Sequence, residues 1–500
     1  MATTLQAQDG FGSYLRNVIQ TQEKGILVYA KLIEACGLCD SLDLLKDYEY
    51  ERRYQTGWIP DRVNMYVDGH FPNGDNYTPR HRLYGYTLFA ETDDFWEQQL
   101  GKSYNDITVS DVKVFVVNEG LYPNANNDNQ FDDENNVLNQ FVTYHLLPHK
   151  LSADKLVHHV NEYGYYPSNS PRLSIPVTEY SVTMGKRRLI RTYESAESNG
   201  IYLNRFPNED KSRHGTGHEI SCDPDKMGIY IDTTKVISNE IPNVVIYPID
   251  NLLAYSNDVT EQLGKLRLRF DVPGLFREFS NNDIRLKKSS EQRNQDVYIP
   301  NSSEYPYLDD MTINENCRMF YLNAYGYQWC NLNGDEIQFK GRYDVTLRLP
   351  PVPKSGEYEL RYKNLPNGDR GIVQVYFGTD KNNLQPVGMP IDFTKTIDNL
   401  TVGWQRDTED DYANQMVDNE LYYNGYMKGA KSIGNMGNIE RDLNNSYRCI
   451  LVRQTMDPEQ TYYVRFKSLL DSDQKSLYMD YIELCPKSVY DNSEKPEDIW

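Results

Sequence analysis

Five hundred residues are too many for one hydrophobic core, which predicts two or three domains. Apolar residues at 39% and charged residues at 25% describe a folded chain, and no run nears the roughly 18 apolar residues of a membrane-spanning helix. A net charge of −21 argues against nucleic acid as a partner, because phosphates must be neutralised by cations.

In chain order, Ile26, Tyr29, Ala30 and Ile33 recur at helical spacing and predict a helix over 24–36, with Gly37 placed to stop it. Cys36 and Cys39 follow. A redox pair would sit where a helix begins, and a structural zinc would need a second C-x-x-C pair, so inert buried thiols are expected. The compact apolar run 112–117, interrupted by Lys113, is strand-sized. Beyond the polar loop 124–129, Leu138, Phe141, Val142 and His145 share one face of a second predicted helix. Lys186, Arg187 and Arg188 read as a solvated strand end. Strand-like segments recur at 201–206, 227–231, 244–247 and 266–272, and a domain boundary is placed at 266–285. From residue 340 short alternating strands dominate: 343–349, 357–362, 372–377, 449–453, 462–466 and 477–484. That density of short strands predicts an antiparallel sandwich or jelly roll. The tail from 491 is polar and expected to be mobile.

The chemistry-bearing residues mostly read as structure. His145 lies on an apolar helical face and is expected to be a hydrogen-bonded core histidine. His214 to Glu219 holds two imidazoles and a carboxylate but lacks the helical His-Glu-x-x-His order of zinc proteases. Asp128 to Asn139 lacks the sixth-position glycine and twelfth-position glutamate of a calcium loop. Nucleophile-elbow, phosphate-loop and dinucleotide strings are missing. Tyrosine is the outlier, with 41 residues; it suits both strands and binding surfaces. Trp329, Trp404, Tyr422, Tyr423 and Tyr426 fall in polar, turn-like contexts and are the candidate ligand contacts, since sugar C–H faces stack on aromatic rings.

Four strings in the first unit resemble, in order, those of fasciclin (FAS1) domains. They are residues 29–38, ending in Ala35, Cys36, Gly37 and Leu38; 86–95, containing Thr87, Phe89, Ala90 and Thr92; 141–148, containing Tyr144, His145 and Pro148; and 243–253. Glu91 stands where that family usually has proline, and long spacings imply insertions near 50–80, 115–135 and 165–230. The string 477–486, with Asp480, is similar to the closing strand of galactose-binding-like sandwiches, and 343–349 with 356–362 resembles their paired core strands. The resemblance implies an α+β fasciclin-like domain over 1–270, with sheets and small helices, and an all-β jelly-roll or galactose-binding-like sandwich over 280–490.

It further implies a non-catalytic accessory lipoprotein on the extracellular face of a bacterial outer membrane. Such a protein captures glycan or other nutrient polymer and docks to transporter or capture proteins. The motif residues would be mainly structural, no cofactor is expected, and a structural calcium can accompany such sandwiches. The lipidated cysteine that tethers these proteins is not in this sequence and is expected on a removed leader. Two rival readings are an adhesion or structural protein without a small ligand, and a glycoside-active enzyme using an unrecognised carboxylate pair.

Overall fold

The computed structural model describes residues 9–64, 75–160, 177–194, 200–206, 228–237, 241–285, 296–302, 304–323, 330–435, 438–494 and 496–499. The apolar string Tyr86–Glu91 forms a strand buried at every position, paired antiparallel to Leu146–Leu147 and parallel to Val244–Ile249. Parallel pairing with both faces covered suits a continuous apolar run. Helices Phe11–Thr21, Leu27–Ala35, Asp93–Leu100, Val109–Asn118 and Val137–Tyr144 belong to the same unit. Asp93 organises it from inside: its carboxylate accepts from the N–H groups of Gly25, Leu27 and Val28 at 2.7, 3.0 and 2.8 Å. One buried side chain thus caps the start of Leu27–Ala35 across 65 residues of chain.

The run at 112–117 is helical, not a strand. Thr108 and Asp111 form a reciprocal capping box that starts Val109–Asn118, and this cap overrides the β-branched composition. A four-stranded antiparallel sheet follows, ordered Val177–Val182, Leu189–Glu194, Ile201–Leu203 and Ile229–Ile231. Its first turn carries Lys186, Arg187 and Arg188, which are docked rather than solvated. Arg187 meets Asp310 at 2.8 Å, Lys186 meets Glu459 at 3.7 Å, and Arg188 pairs with the same Glu459.

Two five-stranded antiparallel sheets make up a sandwich. One runs Leu268–Asp271, Tyr481–Pro486, Gly356–Asn364, Tyr447–Met456, Tyr426–Lys428; the other Met311–Ile313, Asp344–Arg348, Tyr463–Ser468, Ile372–Gly378, Gln385–Asp392. Tyr362 of the first sheet packs against Phe466 of the second with ring centroids 5.2 Å apart. The segments 343–349 and 356–362 are therefore not paired with each other. The proline-rich stretch 350–353 cannot supply hairpin donors and carries the chain from one sheet to the other. Nor is 477–486 one strand: Ser476–Met479 pairs with Asp335–Gly341 in a separate six-stranded sheet, and the chain changes sheets at Asp480. There the Asp480 carboxylate accepts from Lys363 Nζ at 2.5 Å and from the Leu332 N–H at 3.0 Å.

Connections across the sequence are extensive. Leu268–Asp271, at the end of the first unit by sequence, is an edge strand of the sandwich. The antiparallel pair Arg62–Asn64 and Asp75–Tyr77 lengthens the six-stranded sheet through Val297–Ile299. A continuous buried apolar cluster extends from Phe11 to Leu484.

The outward face of the first sandwich sheet decides how the rest is covered. Alternation in Gly356–Asn364 points Tyr358, Leu360 and Tyr362 into the core and Glu359, Arg361 and Lys363 away from it. Yet Glu359 and Arg361 are fully buried. Arg361 meets Glu359 at 2.6 Å, Glu497 at 2.7 Å and Glu483 at 3.4 Å; Glu483 also meets Arg269 at 2.8 Å and Arg448 at 2.9 Å. Glu497 bonds Arg267 as well, at 2.8 Å, and the Ile499 carbonyl accepts from the Lys431 N–H at 2.9 Å. A buried carboxylate thus ties residues 496–499, part of the tail, to two buried guanidiniums.

Burial alone would raise the Glu497 carboxyl, but Arg361 and then Arg267 hold it down at about 2. A carboxylate held below its unfolded value of about 4.3 contributes stability that is present above that value and lost as pH falls toward 2. Glu497→Gln is expected to cost roughly 3 kcal/mol at pH 7, because it leaves buried cations short of a partner. It should also flatten the loss of stability between pH 4 and 2. Urea denaturation across that range checks both; an unchanged midpoint at pH 7 would mean the tail is not anchored.

Candidate functional site

Of the five aromatics singled out from sequence, Trp329 lies outside the described residues. The other four differ sharply in access. Trp404 is half-buried, its indole N–H out of contact with solvent, with Lys428 Nζ 5.8 Å from the ring centre. Tyr426 is 8% exposed and packs edge-on against Tyr447 at 5.2 Å. Tyr422 donates its hydroxyl to Glu359 Oε1 at 3.0 Å, beneath the Arg453 guanidinium. Only Tyr423, 87% exposed, presents its ring to solvent.

Tyr422 and Tyr423 also do not occupy a turn. They end the helix Asp411–Tyr423, which Asp410 caps by accepting from the N–H groups of Tyr412 and Ala413 at 3.0 and 3.1 Å. The inward side is pinned by fully buried Leu421 and by Asp418, which meets Arg441 at 2.7 Å. On the outward side stand Tyr412 (72% exposed), Met416 (52%) and Tyr423. At 100° per residue these three fall within about 40° of each other and span about 16 Å. Gln415 and Asn419 are exposed beside them. Sequence reasoning missed Tyr412 and Met416; the signal was the i, i+4, i+11 spacing after an Asp cap.

The family-motif positions are packing and capping residues. Thr87 donates to the His149 carbonyl at 2.6 Å, Phe89 stacks on Tyr247 at 5.6 Å, Ala90 is buried, and Thr92 caps the helix Asp93–Leu100. Tyr144 donates to the Leu189 carbonyl at 3.1 Å, and the Pro148 carbonyl accepts from Asn281. His145 is wholly buried. Its Nδ1 lies 2.7 Å from the Phe141 carbonyl and its Nε2 2.8 Å from Glu91 Oε1, which also accepts from the Leu253 N–H at 3.0 Å. Both ring nitrogens face acceptors, the Phe141 carbonyl on one side and the Glu91 carboxyl on the other. Glu91, where the resembled family has proline, is therefore the partner that satisfies this histidine.

A carboxylate cluster joins three units of the fold. Asp335 meets Arg285 Nε at 3.0 Å and accepts from Tyr321 at 2.9 Å; Asp271 pairs with the same guanidinium. The Asn333 amide bridges Asp271 and Glu179 at 2.9 and 3.2 Å. Three carboxylates around one buried guanidinium cannot all ionise cheaply. Burial, reinforced by Asp271, pushes Glu179 up to about 8, and burial with neighbouring Asp335 pushes Asp271 up to about 7. The adjoining void is about 40 Å³, room for water but not for a sugar ring.

Cys36, Cys39, Cys317, Cys449 and Cys485 are buried free thiols, Cys330 is buried as well, and burial pushes the Cys36 thiol up to about 12. Cys222 and the loop 214–219 lie outside the described residues. Among the described residues no group of three or more His, Cys, Asp or Glu is arranged to hold a metal. No known family profile matches the chain, and no curated protein does.

A carboxyl raised above its unfolded value near 4 holds its proton in the folded state, so stability falls as pH rises from there through about 8. Glu179→Gln removes that dependence and keeps the bond from Asn333. Melting temperatures at pH 5, 7 and 9 should show the variant gaining on the parent as pH rises; parallel curves would mean Glu179 holds no proton.

Proposed function

We propose that the chain is a non-catalytic cell-surface binding protein, an accessory of an outer-membrane uptake complex that captures a polysaccharide and delivers it to partner proteins. The observation that carries this reading is the outward face of Asp411–Tyr423: two open tyrosines and a methionine on a helix whose other side is pinned by burial and ion pairs. Stacking needs a flat ring held still before the ligand arrives, since ordering it afterwards would cost affinity. The exposed amides of Gln415 and Asn419 are suited to bond hydroxyls between the rings. The length of the face favours a repeating polymer over a single small molecule. The net charge of −21 disfavours nucleic acid, and among the described residues no helix is long and apolar enough to cross a membrane.

Calorimetry of the full chain against a polysaccharide panel, with and without calcium, tests the reading. Saturable binding is expected, falling about tenfold or more in Tyr412→Ala/Tyr423→Ala, with melting temperature unchanged because both rings are exposed. Full affinity in the double variant, or silence across the panel, would contradict it.

A further inference from the structure

A separate concavity opens where the hairpin turn at 183–188, the segment 275–278 and the sandwich meet. Its volume is about 220 Å³, many times what a buried water needs. Arg187, Arg277 and Arg348 line it, together with Asp309, Asp310 and Glu278. Their side chains are partly open, Arg187 at 25%, Arg277 at 30% and Arg348 at 30%, so the cleft reaches solvent. Its remaining walls include Val182, Leu275 and Phe276.

The charges are unevenly matched. Arg187 and Arg348 share one carboxylate, Asp310, at 2.8 and 3.4 Å. Arg348 Nε has no hydrogen-bond partner and no contact with water. Arg277 pairs with Asp309, which also serves Arg82, while burial, reinforced by the Asp309 charge, pushes Glu278 up to about 7. At the back His149 is buried, and burial with the nearby Arg277 and Arg285 holds it down at about 3, so its imidazole is neutral and polar. In a chain of net charge −21, this concave surface sets three guanidiniums against three carboxylates, Glu278 being paired with Arg82 and Arg277, and leaves Arg187 and Arg348 with a single aspartate between them. The turn that presents Arg187 is held in place: Gly185 sits at φ +60°, and a Cβ there would collide with the Thr143 side chain.

We infer that this cleft is a binding site for a single acidic sugar ring, a hexuronate. Its carboxylate would lie against Arg348 and Arg187, its hydroxyls against Asp309, Asp310 and His149, and its C–H faces along Leu275 and Val182. Guanidinium geometry suits a carboxylate, and the two aspartates suit hydroxyl donors. The site stands apart from the helix Asp411–Tyr423 and does not depend on that face.

The test is calorimetric titration of the full chain with D-glucuronate and D-galacturonate at physiological ionic strength, with D-glucose and acetate as controls. Saturable binding of a uronate is expected, at least tenfold tighter than either control. Arg348→Gln should weaken it tenfold or more, since Arg348 is partly open and Asp310 keeps Arg187. Tyr412→Ala/Tyr423→Ala should leave it unchanged, which separates failure here from failure of the polymer-binding face. No uronate binding at millimolar concentration, equal binding of acetate, or undiminished binding in Arg348→Gln would each overturn the inference.

Discussion

The structure depends on a row of ion pairs laid across the outward face of one sandwich sheet. Register places Glu483 directly between Arg269 and Arg361, and Glu359 directly opposite Arg453. A slip of one residue in either central strand would turn these charges into the apolar interior and bring Tyr358, Leu360 and Tyr362 out. Burying ions is costly, and attraction offsets that cost only where every partner is in place. The network therefore contributes less to net stability than to specifying a single register. It also demands a cover, since Glu359, Arg361 and Glu483 would otherwise face water.

That cover is where the candidate binding face arises. Residues 496–499 supply Glu497 to the network, Lys431 bonds the same segment, and Tyr422 reaches Glu359 from the end of the helix Asp411–Tyr423. Asp407 and Asp418 hold Lys428 and Arg441 on the adjoining stretch. The helix is pinned through its inward residues, and Tyr412, Met416 and Tyr423 stand open on its other side. A feature that reads as surface chemistry is thus positioned by buried electrostatics.

Where period and packing agree, the sequence was readable. Alternation picked out 343–349, 357–362 and 372–377, and an apolar helical face marked His145 as a core residue. It failed where a local signal opposed composition. The run 112–117 looks like a strand until Thr108 and Asp111 are recognised as a capping box, and Asp411–Tyr423 is too polar to advertise a helix with one fully buried residue. Pairings between distant segments left no local trace: Leu268–Asp271 with Tyr481–Pro486, or Asp75–Tyr77 with Val297–Ile299. The same holds for the aromatics. Composition raised Trp404 and Tyr426 as candidates, but only tertiary contacts show the one half-buried, the other buried, and Tyr423 open. The arginine-lined cleft draws its residues from five stretches between 148 and 350 and was invisible for that reason.

Native-state hydrogen exchange in low urea, resolved by mass spectrometry, tests the central claim most directly. If the ion network binds cover to sheet, segments 428–442 and 496–499 will open together with 268–271, 356–364, 447–456 and 481–486, at one common free energy. Rapid exchange of the Lys431 region and the tail while those strands remain protected would show that the cover is not held by the buried charges, and the account would fail.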